Sequence, residues 1–149
     1  MEQAAHDFIV EILDQCQDLA LATIRPDGYP QATTVSYAHD GLTIYIGVGH
    51  QSQKADNIRA CDKVSFTVTA PYADWSQIRG LSAAATARIL EKPEEIERAG
   101  DCLLGRFPQV GQWADAARSG AVLLLEIRPR IVSLLDYRKG FGHTELVGA

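Results

Sequence analysis

The stretch Gly47-Val48-Gly49-His50-Gln51-Ser52-Gln53-Lys54 holds the residue types best suited to chemistry. It leaves an apolar alternating run, passes two glycines, and presents Ser52 and Lys54 where a short helix should begin. Backbone N–H groups at a helix start attract anions, while a serine hydroxyl and a lysine ammonium add a neutral donor and a cation. A phosphomonoester needs that set. The same residues also read as a helix cap at Ser52 followed by a solvated lysine. The spacing is not that of a Walker A loop, because G-x-x-x-x-G-K-[ST] is absent. There is no G-x-S-x-G elbow, and Ser52-Gln53-Lys54 is too short for S-x-x-K, so no catalytic nucleophile is assigned.

Elsewhere the candidates are sparser. His6, His39 and His50 show no metal-ligand spacing, and the three cysteines lie far apart with no C-x-x-C pair. Neither a structural metal nor a disulfide framework is expected. Glu94, Glu95 and Glu97 read as the solvated face of a helix near its N-terminus rather than a catalytic pair. Trp75 reads as a cofactor cover or peripheral core, and Trp113 as core or subunit packing. Arg79 reads either as the partner of a substrate anion or as a pair with Asp74. The segment from Asp136 to His143 gathers Tyr137, Lys139, Phe141 and His143 around two glycines. That composition is unusual for a tail, and the plain reading is a flexible tail that docks its aromatic residues for stability.

Elements must hold these residues in place. Ala5 to Gln17 puts Phe8, Ile9, Ile12, Leu13 and Cys16 on one helical face. Leu19 to Ile24, Gln31 to Ala38 and Leu42 to Val48 read as strands, separated by Arg25-Pro26-Asp27-Gly28 and His39-Asp40-Gly41 turns. After a short helix from Lys54 to Cys61, Val64, Phe66 and Val68 alternate with polar neighbours over Lys63 to Thr69. Gln77 to Leu90 reads as a long strand, bent at Gly80, whose small residues admit another backbone close by. Pro93 starts a helix running to about Leu104, and a shorter one spans Trp113 to Arg118. The last strand runs from Ala121 to Asp136 and is expected to break at Pro129. A parallel α/β sheet would need crossover helices, and the first three strands are joined too tightly for them. The expectation is a mainly β fold with α elements (α+β): a six-stranded antiparallel β-barrel with two to four peripheral helices, closed to remove exposed edges.

Composition sets the class. The 149 residues fit one domain, 1–149, with 46% hydrophobic and 22% charged residues, as in ordinary globular proteins. A formal net charge of −5 argues against a nucleic-acid binder, which depends on Lys and Arg to neutralise phosphates. The run from Ala121 to Leu125 is far short of the ~20 residues of a bilayer span, and Glu2 and Asp7 do not suit a secretory signal. A cytoplasmic protein with reduced thiols is expected.

The order of these features resembles the pyridoxamine 5′-phosphate oxidase-like FMN-binding split-barrel family. A polar-small strand, Ala32-Thr33-Thr34-Val35-Ser36, precedes Tyr45-Ile46-Gly47, then Ser52-Gln53-Lys54, a short helix, Asp62-Lys63 and Val64-Ser65-Phe66. Trp75-Ser76-Gln77-Ile78-Arg79-Gly80 and Ala85-Thr86-Ala87-Arg88-Ile89 follow. The chain has Asp62-Lys63 where the family often has Asn-Pro, Ala85 for a glycine, and a threonine for an arginine early in the second strand. The resemblance implies FMN as cofactor, lined by Thr33, Thr34, Val35 and Ser36 and flanked by Tyr45 and Ile46. Ser52, Gln53 and Lys54 would hold its phosphate, and Gln77 would reach the ring or ribityl chain from the partner of a homodimer. A flat tricyclic ring needs more apolar cover than one small barrel offers, which agrees with a site between subunits. Trp75, Arg79, Tyr137, Lys139, Phe141 and His143 would then face a small redox substrate or close over the ring. The implied activity is an FMN-dependent oxidoreductase. The alternatives are a deazaflavin-dependent reductase of the same fold, or a flavin- or haem-binding storage or stress protein without turnover; haem is disfavoured because no histidine is poised to bind it.

Overall fold

Side chains that alternate in the sequence alternate in burial. The computed structural model describes residues 1–149. In β5 (Lys63–Thr69), Val64, Phe66 and Val68 are buried while Ser65, Thr67 and Thr69 are exposed. β1 (Asp18–Ile24) buries Leu19, Leu21 and Thr23 on the same side. With β2 (Pro30–Ser36), β3 (Ala38–Asp40), β4 (Thr43–Gly49), β6 (Arg79–Ile89) and β7 (Val122–Asp136) they form one antiparallel sheet in the order β2-β1-β5-β6-β7-β4-β3. β8 (Thr144–Gly148) adds to the C-terminal half of β7, beyond the part that pairs with β4. The sheet curls into a split barrel. β2 pairs only with β1, and Ile46–Gly49 of β4 pairs only with β7, so the split lies between unpaired edges of these two strands.

α1 (Gln3–Gln15) packs on β5, β6 and β7, and its Ile9, Ile12 and Leu13 are completely or almost completely buried in the main core. The C-terminal end of α1 is satisfied from outside the helix. Tyr37 Oη donates to the carbonyls of Leu13 and Cys16 at 2.8 and 3.1 Å, and the Arg106 guanidinium donates to the same two. That guanidinium also sits 4.7 Å from the Tyr37 ring centroid. Burial pushes the Tyr37 phenol far above its usual range, so it stays a donor. On the opposite face of the sheet, α3 (Pro93–Arg106) covers β3 and β4 through a second cluster of Ala38, Tyr45, Leu90, Ala99 and Leu103. α2 (Gln53–Ala60) packs on β1, β4 and β6, and α4 (Ala114–Arg118) on β7. No helix is long and apolar enough to cross a membrane.

Four α-helices match the expected range, but the strands number eight rather than six. Both additions are short hairpin partners: β3 falls on the expected His39-Asp40-Gly41 turn and pairs with β4, and β8 folds back on β7 where a tail is expected. The expected break at Pro129 does not occur either. β7 runs through it, and the strain is taken up by a bulge: Ala84 pairs with Ile131 and Ala85 with Pro129, leaving Arg130 as an extra residue. Trp113 is 61% exposed in the single chain, which removes the core reading and leaves that of subunit packing.

Small residues along β6 carry the close approaches that the sequence suggested. Ala83, Ala85 and Ala87 face the core, and both α1 and α2 pack on this strand. Gly80 is the tightest point, since a Cβ there would lie 2.6 Å from the Val68 carbonyl oxygen. Gly80→Ala should therefore lower stability by about 1–3 kcal/mol through overpacking. Gly100→Ala, in α3 with nothing within 4 Å, should be neutral or stabilising by up to ~1 kcal/mol. Urea unfolding of the two variants checks the contrast.

Candidate functional site

The first turn of α2 is built by local hydrogen bonds. Ser52 caps the helix, its Oγ accepting from the Ala55 N–H at 3.2 Å, and its own N–H donates to the Gly49 carbonyl. The preceding turn is pinned at His50, whose N–H donates to the Ala121 carbonyl and whose carbonyl accepts from Arg59. Lys54, half-buried, makes no hydrogen bond or ion pair within the chain. A cation held beside a capped helix start with no partner of its own is a suitable anion site.

Beneath this turn lies a polar network anchored by Asn57, which is completely buried. Its Nδ2 donates to Thr23 Oγ1 at 2.9 Å and to Gln31 Oε1 at 3.3 Å, and its Oδ1 accepts from Gln53 Nε2 at 2.8 Å. One carboxamide thus ties α2 to both β1 and β2. Next to Gln31 on the same face of β2, the Thr33 hydroxyl is buried without any hydrogen-bond partner. An orphaned buried hydroxyl costs free energy unless something fills its place.

The structure separates the other expected contacts. Thr33 and Val35 face inward on β2, whereas Thr34 and Ser36 face outward, where Ser36 Oγ donates to Asp18 at 2.6 Å. Ile46 is completely buried in the main core, while Tyr45 points to the other face, under α3. Only main-chain atoms of Ile46 are left for a ligand. Burial and the nearby Glu126 carboxylate raise the Tyr45 phenol.

A second group gathers away from α2. Trp75 and Gln77 lie on a 3₁₀ turn, Trp75–Gln77, and Tyr137 and Lys139 on another, Tyr137–Lys139. The Phe141 ring lies 6.2 Å from Trp75 and 5.3 Å from Tyr137. Trp75 is 67% and Phe141 76% exposed, so the cluster has no cover. Gly140 and Gly142 have φ of 134° and 80°, a backbone that favours glycine and turns the chain into β8. Lys139 and His143 both meet Glu145, at 3.4 and 3.2 Å. Arg79 does not pair with Asp74: it donates to Glu11 at 2.9 Å and Gln15 at 3.1 Å, joining β6 to α1. Asp74 instead caps its own turn through Ser76.

Several residues were not singled out from sequence. Asn57 left a weak signal, an amide among apolar positions inside a helix. Glu126, Arg128 and Arg130 left a clearer one, charges at every second position of an otherwise aliphatic run. No group of three or more His, Cys, Asp or Glu side chains is placed to hold a metal ion, and all three cysteines are free.

The architecture can now be set beside known proteins. A model of the pyridoxamine 5′-phosphate oxidase family matches residues 5–136. The chain belongs to that family. It is 24% identical over 135 residues to General stress protein 26 of Bacillus subtilis (strain 168), with 91% of each chain covered. The structure of a haem-binding protein from Mycobacterium smegmatis superposes with a TM-score of 0.83 at 19% identity. That match covers 99% of this chain and 59% of the other. A conserved hypothetical protein of Mycobacterium tuberculosis superposes with a TM-score of 0.77 at 29% identity, covering 100% and 94%. The fold is thus shared with a haem-binding protein, while the sequence is similar to that of a stress protein.

Asn57→Ala should strand Thr23, Gln31 and Gln53 without their shared partner. A loss of about 1–3 kcal/mol is expected, with faster amide exchange in α2 and at the ends of β1 and β2 than in β6 and β7. Hydrogen exchange read by mass spectrometry checks that localisation.

Proposed function

We propose that this chain is an FMN-binding oxidoreductase whose flavin lies at the split between β2 and β4, in a homodimer. The carrying observation is the unpartnered Lys54 ammonium at the capped start of α2, the helix that Asn57 ties to Gln31 on β2, the strand that also carries the orphaned Thr33 hydroxyl. The donor set suits a flavin phosphate: Ser52, the first N–H groups of α2 and Lys54 supply neutral and charged donors. The free β2 and β4 edges offer main-chain N–H and C=O groups to the polar rim of the ring, and Thr33 offers its hydroxyl. When bound, the flavin supplies the redox chemistry, and the chain supplies binding, orientation and shielding from water. Asn57 and Gln53 hold the α2 turn against β2, which keeps the phosphate contacts at a set distance from the ring contacts.

The outer face of the sheet supports the homodimer. Ala20, Ser65, Thr67, Ser82 and Ala84 make a flat exposed surface of small side chains, edged by Ile131 and Leu146, 49% and 74% exposed. A second copy covering that face would bring the Trp75, Tyr137 and Phe141 cluster and Gln77 toward a partner's flavin. Exposed apolar groups of this size on a small domain mark a contact surface.

Protein purified from cells should carry a flavin identified by mass spectrometry, or acquire flavin absorbance on addition of FMN. A protein that stays colourless and does not quench FMN fluorescence would end this reading. Parallel titrations with a deazaflavin and with haemin separate the cofactor alternatives within the family. Lys54→Ala should weaken FMN binding by about 10- to 150-fold, the loss of one charged hydrogen bond. Lys63→Ala, an exposed lysine on β5, should leave affinity unchanged. Sedimentation should give a dimer, and Leu146→Asp should shift it toward monomer.

A further inference from the structure

Beyond the α2 turn, one hollow is built from charged groups that the flavin reading does not use. It has a volume of about 270 Å³ and lies on the outer face of β6 and β7, lined by Thr86, Arg88, Glu126, Arg128, Arg130 and Asp62 among others. We propose that this hollow binds the phosphate group of a small hydroxylated phosphate ester.

Three observations carry the assignment. First, Arg128 and Arg130 are each anchored through Nε alone. Arg128 Nε donates to Glu126 Oε1 at 2.7 Å, and Arg130 Nε donates to Thr86 Oγ1 at 3.2 Å. The terminal Nη groups of both have no partner in the chain, so two planar forks are oriented and left unfilled. A tetrahedral dianion accepts from two forks at once, whereas a carboxylate is matched by one. Second, Glu126 is 7% exposed although it sits on an outward-facing position of the sheet. Burial alone would raise its carboxyl, but hydrogen bonds and charge from Arg128 and Arg88 hold it below the usual range. It stays ionised and fixes both guanidiniums, since Arg88 Nη2 also reaches Oε1 at 3.3 Å. Arg88 is further neutralised by Glu95, whereas Arg130 has no carboxylate partner. Third, Arg130 is the extra residue of the β7 bulge. A bulge re-aims a side chain, and here it sets Arg130 beside Arg128 over Thr86.

Asp62 is the remaining charge on the rim and takes part in no ion pair. A carboxylate opposite a phosphate site repels a bare anion but accepts hydrogen bonds from hydroxyl groups carried on the same ligand. It therefore favours a polyol or sugar phosphate over inorganic phosphate. Asp62 lies past the C-terminal end of α2 and Lys54 near its start, with about 9 Å of helix between them. The hollow is a site separate from the proposed flavin cradle, and its test does not rest on the flavin.

Isothermal titration at fixed ionic strength, with glycerol 3-phosphate and with inorganic phosphate, tests the proposal. Saturable binding of the ester is expected in the wild type and in Lys54→Ala alike. Arg128→Gln/Arg130→Gln, at exposed positions, should weaken it about tenfold or more, with circular dichroism confirming an intact sheet. Asp62→Asn should strengthen inorganic phosphate and erase the ester's advantage over it. The proposal is overturned if the wild type shows no saturable binding, or if the double arginine variant binds as tightly as the wild type. Binding lost in Lys54→Ala but kept in the double variant would also overturn it, by moving the anion to α2.

Discussion

A fully buried carboxamide has four hydrogen-bonding positions and no water to fill them, so its partners constrain everything they belong to. Asn57 meets that requirement with Thr23 on β1, Gln31 on β2 and Gln53 in its own helix. The helix cannot slide along the sheet or rotate without breaking at least one of these bonds. Ser52 and Lys54, in the first turn of this helix, are thereby held in place by the fold rather than by a loop. Groups that must act together are best mounted on packed elements whose own polar atoms are already satisfied.

The same sheet divides its two faces by side-chain size. Inward, Ile, Leu and Val fill the curl around α1, while alanines along β6 let two helices approach. Outward, most of β1, β5 and β6 carries Ala, Ser and Thr, and larger groups appear only where something else covers them or a partner is proposed. Tyr45 is buried outward because α3 lies on it, and Glu126 because Arg88 and Arg128 lie against it. The outer surface is therefore three regions: a helix-covered end, an arginine-lined hollow at the bulge, and an open flat face.

Charge placement follows from this division. The chain is acidic overall, yet its cations are not spread evenly over the surface. Arg106 and Arg79 are consumed in holding α1, by its carbonyls and by Glu11. Lys54, Arg128 and Arg130 retain donors with nothing in the chain to accept from them. Cations left unfilled in concave, oriented positions differ physically from those on a solvated helix face, because the cost of ordering them has already been met by the fold.

Local pattern determined most of the framework. Alternation at period two marked β1, β4 and β5, helical spacing marked α1, and Ser52 followed by a short apolar register marked α2 and its cap, because these signals act between residues a few positions apart. The family resemblance was legible in the order of those same elements. What the sequence left open were choices between distant partners. Arg79 is bonded to Glu11, 68 residues away, and not to the nearby Asp74. Tyr45 and Ile46, adjacent in the chain, belong to different cores. Pro129 sits inside a strand because a bulge against β6 absorbs it. The physical reason is common to all three. Which side of a sheet a residue faces, and which guanidinium finds which carboxylate, depends on strand pairing across long chain separations, and pairing is decided by the packing of the whole sheet rather than by neighbours in sequence.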